Sequence, residues 1–198
     1  MAFIRGYVSL PTSSYPAWRS SVSGNGYDAD LIYGDQCWDL CAEFWHNLGY
    51  PNGYPITQQG GDGQAWMCWT YSRDINKGDD FDLIYNISDV KQGDVLVWDG
   101  SLGYPDGHIG FADEDYDGSG YIHVLGQNQG TGGVPPPISN PDGGTTANVK
   151  RLSVTNFLGA FRYKEWGGGP TPPITVRKKQ SHFPWVLYAN KLRSRNNL

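Results

Sequence analysis

The sequence predicts an α+β domain on three observations. Apolar residues recur at three- and four-residue steps only in the first half of the chain, while the second half is filled by short strand-like runs bounded by turn residues. Charged residues make up a modest 18%, against 27 Gly, 8 Trp and 13 Tyr. The first two observations place helices before strands, and the third suits a compact, loop-rich domain better than a helical bundle. A chain of 198 residues buries enough apolar surface for one domain and leaves no room for a second.

Residues 1–12 carry no clear pattern. A short helix is expected over 15–22, with Pro16 at its start and Gly24 closing it. Over 36–49, Cys37, Leu40, Cys41, Phe44, Trp45 and Leu48 form one apolar face, and Gly49 ends the helix. A Gly- and Pro-containing loop at 51–61 leads to a second helical stretch, 62–75, capped by Asp62 and carrying Ala65, Trp66, Trp69 and Ile75 on one side. Strands are expected at 81–85, 94–98, 108–112, 121–125, 149–152 and 157–163. Residues 130–146 contain three consecutive prolines and few apolar residues, so they read as a surface loop. The organisation is therefore a domain over 1–166, a Gly/Pro linker over 167–176 and a basic, aromatic tail over 177–198.

Charge excludes one class of partner. The net charge is −5, but Arg177, Lys178, Lys179, Lys191, Arg193 and Arg195 give the tail +6, leaving −11 for the domain. An acidic body lacks the basic face that phosphate contacts need, so nucleic acid is not an expected partner. No stretch of 18 apolar residues is present to span a membrane. The first residues hold no apolar run of secretory length, so no signal peptide is expected.

Three cysteines leave at least one unpaired. Cys37 stands at the start of the helix over 36–49, where backbone N–H groups favour a thiolate. A lone cysteine is commonly packed in a core, so its sequence neighbours decide. These are Asp28-Ala29-Asp30-Leu31-Ile32-Tyr33-Gly34-Asp35-Gln36-Cys37-Trp38-Asp39-Leu40, followed later by Gln92-Gly93-Asp94-Val95-Leu96-Val97-Trp98, Gly107-His108-Ile109-Gly110-Phe111, Gln127-Asn128 and Phe157-Leu158-Gly159-Ala160-Phe161-Arg162. In this order, over about 15–165, they resemble the CHAP family of cysteine- and histidine-dependent amidohydrolases and peptidases.

The resemblance implies a papain-like CHAP fold with helices packed on an antiparallel sheet. It makes Cys37 the nucleophile and His108 its base. Asn128 is expected to orient the imidazole, and Gln36 to assist the Cys37 N–H in stabilising the oxyanion. Many members of the family carry Glu two positions before the Asn, and this sequence has Gly126. Asp106 is a lesser substitute, with a plainer role in the 104–107 turn. His46, His123 and His182 have no motif context.

Alternate acidic residues in a short loop supply oxygens to hard cations. Asp28 and Asp30, the carbonyls of Ile32 and Gly34, and the Asp39 carboxylate form such a set, and the calcium-dependent branch of the family has Asp at the three corresponding side-chain positions. The expectation is a structural Ca2+ bracing the loop before Cys37. The second acidic run, 113–118, begins like an EF-hand loop but has Val124 where the twelfth-position Glu belongs, so Asp117-Gly118 reads as a hairpin turn. A zinc site using Cys37, Cys41, Cys68 and His108 is disfavoured by the Cys-x-x-x-Cys spacing. Cys41 and Cys68 read as packed thiols.

The family resemblance implies peptidoglycan as substrate, cut by an endopeptidase or an N-acetylmuramoyl-L-alanine amidase. The missing signal peptide and the small size point to a bacteriophage enzyme, in the virion or in the host cytoplasm before lysis. The linker followed by a basic, aromatic tail points to docking onto other phage tail or virion proteins. The competing reading is a CHAP-fold structural or adhesion component of the virion with weakened catalysis.

Overall fold

Six strands form one antiparallel sheet, against which the helices pack. The computed structural model describes residues 2–29, 31, 35–50, 64–100, 106–129 and 146–166. In chain order these are β1 (Phe3–Arg5), α1 (Tyr15–Val22), β2 (Gly26–Asp28), α2 (Cys37–Asn47), α3 (Met67–Thr70), α4 (Arg73–Lys77), β3 (Phe81–Ile84), β4 (Val95–Trp98), β5 (His108–Ala112), β6 (Tyr121–Gly126), β7 (Asn148–Ser153) and β8 (Phe157–Tyr163). The sheet order is β3-β8-β4-β5-β6-β7. The α+β expectation holds, with helices preceding the large sheet.

The two central strands explain their own sequences. Every residue of β4 and β5 is buried, because both sheet faces are covered. Val95, Val97, Ile109 and Phe111 join the core shared with the helices. Leu96, Trp98 and Ala112 join a second core with Val90, Ile122, Val124, Leu152 and Ala160. A strand covered on both faces needs apolar residues at consecutive positions, and Val95-Leu96-Val97-Trp98 supplies them.

The helix α2 is built from the ends inward. Asp39 in its first turn accepts the Gln36 N–H at 2.8 Å, satisfying a donor at the helix start. At the other end Gly49 takes φ +88, and its N–H reaches the His46 carbonyl at 2.9 Å. Leu40, Cys41, Phe44 and Trp45 are fully buried between these ends. Trp45 stacks on Phe81 at 4.4 Å, and its indole N–H donates to the Asn76 carbonyl at 2.8 Å. The helix thus stands fixed against the sheet, with Cys37 at its first turn.

The structure differs from the sequence-based expectation in two places. The single helix expected over 62–75 is two short helices, α3 and α4, with residues 62 and 63 outside the described ones. The Asn76 side chain donates to the Cys68 carbonyl at 3.0 Å, and the chain turns at Ser72 rather than continuing the helical ladder. The patternless start contains β1, which pairs in parallel with β2. Three-residue strands are too short to show a period.

The acidic run at 113–118 is occupied by pairings within the protein. Asp113 pairs with Arg19, Glu114 with His123, and Asp115 with Lys91. Asp117 accepts the Ser119 N–H at 2.8 Å and Gly118 takes φ +88, as a turn between β5 and β6 requires. Cys41 and Cys68 are free, buried thiols in the helix-side core.

Candidate active site

The thiol of Cys37 lies at the junction of α2 and β5. A backbone hydrogen bond from Ile109, the residue after His108, reaches it, as do those of Trp38 and Cys37 at the helix start. These N–H groups favour an anion. Burial outweighs them and pushes the thiol up to about 12, with the nearby Asp39 charge adding to the rise. His108 is buried at the first position of β5, and burial pushes its imidazole down to about 4. Each group alone therefore rests neutral. Either ion would need an opposite charge beside it to form in this setting.

Gly107 controls how the chain enters β5. Its φ is +70, and a Cβ there would meet the Trp98 carbonyl and come within 3.0 Å of Trp66. The backbone before His108 thus passes where only glycine fits. Trp98 pairs with His108 across β4 and β5, with ring centroids 5.8 Å apart.

Beyond β6 the chain turns through Asn128, which has φ +52, a conformation asparagine tolerates. Three successive side chains consequently reach three different places. Gln127 binds backbone: its carbonyl accepts the Tyr27 N–H at 2.8 Å, and its amide donates to the carbonyls of Tyr27 at 2.9 Å and Gln36 at 3.0 Å. Asn128 Nδ2 donates to Gln36 Oε1 at 2.7 Å. Among the described residues Gln129 meets the imidazole, its Oε1 standing 3.3 Å from His108 Nε2. The family resemblance implies Asn128 for that contact. The left-handed turn delivers the following residue to the ring and sends the Asn128 amide to Gln36. Gln129 carries no motif of its own, and the one sequence signal for it was the missing side chain at Gly126.

Of the expected cation ligands, Asp28 and Asp39 lie among the described residues, while Asp30, Ile32 and Gly34 lie outside them. Asp28 is 5% exposed, and its Oδ1 is buried without a hydrogen-bond partner among the described residues. Its other oxygen lies 4.0 Å from the exposed Arg5 side chain. Asp35, which sequence reasoning did not single out, is also buried, and its carboxyl is raised by burial and by the charge of Asp28. The Asp39 oxygens accept the N–H groups of Ala29 and Gln36, each at 2.8 Å. Two buried carboxyl groups whose charges oppose each other, one with an oxygen lacking a partner among the described residues, suit a cation. Among the described residues no helix is long and apolar enough to cross a membrane.

Comparison with known proteins agrees with this geometry. Over residues 22–128, more than half of the chain, the sequence matches the model of the CHAP domain. It is 34% identical over 121 residues to the D-alanyl-L-alanine endopeptidase of Streptococcus phage B30, a match covering 60% of this chain. The matched region spans 25% of that curated relative's length. Among solved structures, the wild-type endolysin LysIME-EF1 has a similar fold, with a TM-score of 0.55 at 24% identity over 79% of this chain and 65% of that one. With its cysteine at the head of α2, its histidine at the start of β5 and a family match over more than half its length, the chain belongs to the CHAP domain family.

Proposed function

We propose that this protein is a phage cysteine hydrolase that cuts amide bonds in bacterial peptidoglycan, as an endopeptidase or an N-acetylmuramoyl-L-alanine amidase. The observation that carries the reading is the Cys37 thiol at a helix start, hydrogen-bonded by the residue after His108. Cys37 attacks the scissile carbonyl while His108 takes the thiol proton, and the imidazolium then returns it to the leaving amine. Water, with its proton passed to His108, releases the acyl group. Gln36 assists the Cys37 N–H at the oxyanion, and the Asn128 hydrogen bond to Gln36 Oε1 holds that amide in one orientation. The B30 relative, named an endopeptidase, supports this chemistry. Mass spectrometry of digested walls tests it: new amino termini within or at the head of the stem peptide support the proposal, and an unchanged wall refutes it.

We propose in addition a bound Ca2+ at the residues before Cys37. Asp28 and Asp30, with the carbonyls of Ile32 and Gly34 and the Asp39 carboxylate, are the proposed ligands, and the buried Asp35 adds negative charge beside them. The ion would supply charge compensation to the segment leading into α2. The orphaned Asp28 oxygen supports this proposal. Chelation is expected to lower Tm, and added Ca2+ at about 100 times its Kd to restore about 2.7 kcal/mol. Asp28→Asn is expected to abolish that response. A Tm indifferent to both chelator and Ca2+ would refute the site.

The proposed setting is the phage virion, or the host cytoplasm before lysis, with Phe183, Trp185, Leu187 and Tyr188 of the basic tail docking onto other virion proteins. Deleting residues 170–198 is expected to remove the protein from purified virions. Unchanged incorporation would overturn the docking.

A further inference from the structure

We propose that Gln129 is the positioning residue of His108, occupying the space that a larger residue at position 126 would fill; this rests on the hydrolase reading above. A Cβ built on Gly126 would lie 3.1 Å from Gln129 Cδ and 3.2 Å from its Oε1. The two positions therefore compete for one volume beside the imidazole. Gly126 is the departure from the family pattern, and the Gln129 side chain fills the space it leaves.

The amide of Gln129 has a determined orientation. Its Nε2 donates to the carbonyls of Asn148 at 2.7 Å, Val124 at 3.0 Å and Gly126 at 3.2 Å. Three carbonyls can be met only by the NH2 end, so the carbonyl end faces the ring. An acceptor 3.3 Å from His108 Nε2 requires that nitrogen to carry a proton. The neutral imidazole is consequently the Nε2–H tautomer, with the lone pair on Nδ1 as the base. When the ring becomes an imidazolium, the same carbonyl stabilises its charge without reorganising. Gln129 is 1% exposed, so water does not compete for that bond.

The experiment combines a spectroscopic and a kinetic readout. In 15N histidine spectra of the full chain at neutral pH, with His108 assigned by difference from His108→Ala, the wild type is expected to show the Nε2–H tautomer. Gln129→Ala is expected to shift the ring toward a tautomer mixture and to lower kcat at least tenfold with KM within twofold. The double variant Gly126→Glu/Gln129→Ala, which places a carboxylate in the shared volume, is expected to recover most of the lost kcat; Gly126→Glu alone, with Gln129 still present, is not. An Nδ1–H tautomer in the wild type would overturn the assignment without any variant having to fold. An unchanged tautomer and kcat in folded Gln129→Ala would overturn it as well. If the wild type leaves cell walls intact while its tautomer depends on Gln129, the positioning stands and the substrate reading falls. Hydrolysis that requires Cys37 but ignores Gln129 would keep the substrate reading and overturn the positioning.

Discussion

Replacing Cys37 with Ala is expected to abolish release of peptidoglycan fragments, a fall of at least about 10³-fold in kcat, while leaving the thermal transition within a few degrees of wild type. The asymmetry follows from where the residue stands. Cys37 is the first residue of α2 and packs at the edge of the core, while the packing that holds the helix comes from Leu40, Cys41, Phe44 and Trp45. Alanine is a good helix former and removes one sulfur from the edge of that core. On the proposed mechanism the reaction loses its nucleophile altogether. His108→Ala is expected to cost about as much, and the double variant little more, because the proposed mechanism uses thiol and imidazole as one unit. Burial holds the free thiol near 12 and the free imidazole near 4, so neither partner has a useful charge without the other. Fragment release assayed by mass spectrometry, with thermal melts of each variant, checks this. Residual activity in Cys37→Ala near the wild-type level would transfer the nucleophile's role elsewhere.

The parts of this site that were legible in sequence are those that a local pattern specifies. Helix α2 announces itself by the spacing of Leu40, Cys41, Phe44 and Trp45, and Cys37 is placed at its head by the same spacing. Strand β5 follows from His108-Ile109-Gly110-Phe111 between a glycine turn and the acidic hairpin. What was not legible depends on backbone handedness and on volumes shared across the fold. Whether residue 128 or 129 meets the imidazole is decided by one left-handed φ at Asn128, which no hydrophobic period records. That Gln129 fills the space beside Gly126 is a tertiary fact, visible only when β5, β6 and β7 lie together. Asp35 escaped notice for a similar reason: its carboxyl is set against β2, where a Cβ on Gly26 would collide with it. The break between α3 and α4 arises because the Asn76 side chain takes a helical carbonyl, a competition that apolar spacing cannot report.

Glu43→Gln is expected to stabilise the protein at pH 8 relative to pH 5, by about 2–3 kcal/mol when the mutational effects at the two pH values are compared. Glu43 projects from α2 onto the segment after β1. Its Oε1 accepts the Val8 N–H at 2.7 Å and the Asn47 amide at 3.2 Å, while Oε2 is buried without a partner among the described residues. Asn47 continues the attachment, accepting the Leu10 N–H at 2.7 Å and donating to the Val8 carbonyl at 3.0 Å. Burial pushes the Glu43 carboxyl from 4.5 up to about 7, against the lowering effect of these hydrogen bonds. Between those values the folded state holds more protons than the unfolded state, so stability falls as pH rises through the window. His108 acts in the opposite sense. Its value, lowered from 6.5 to about 4, means the unfolded state holds more protons there, and stability rises with pH over that range. The two groups largely cancel between about pH 4.5 and 6.5, leaving their combined contribution nearly flat while each slope alone is steep. Removing the ionisable group at position 43 exposes the His108 slope, so denaturant unfolding of Glu43→Gln should show stability climbing from pH 4 to 6.5. The same ΔΔG at pH 5 and pH 8 would show that the Glu43 carboxyl does not titrate in that window.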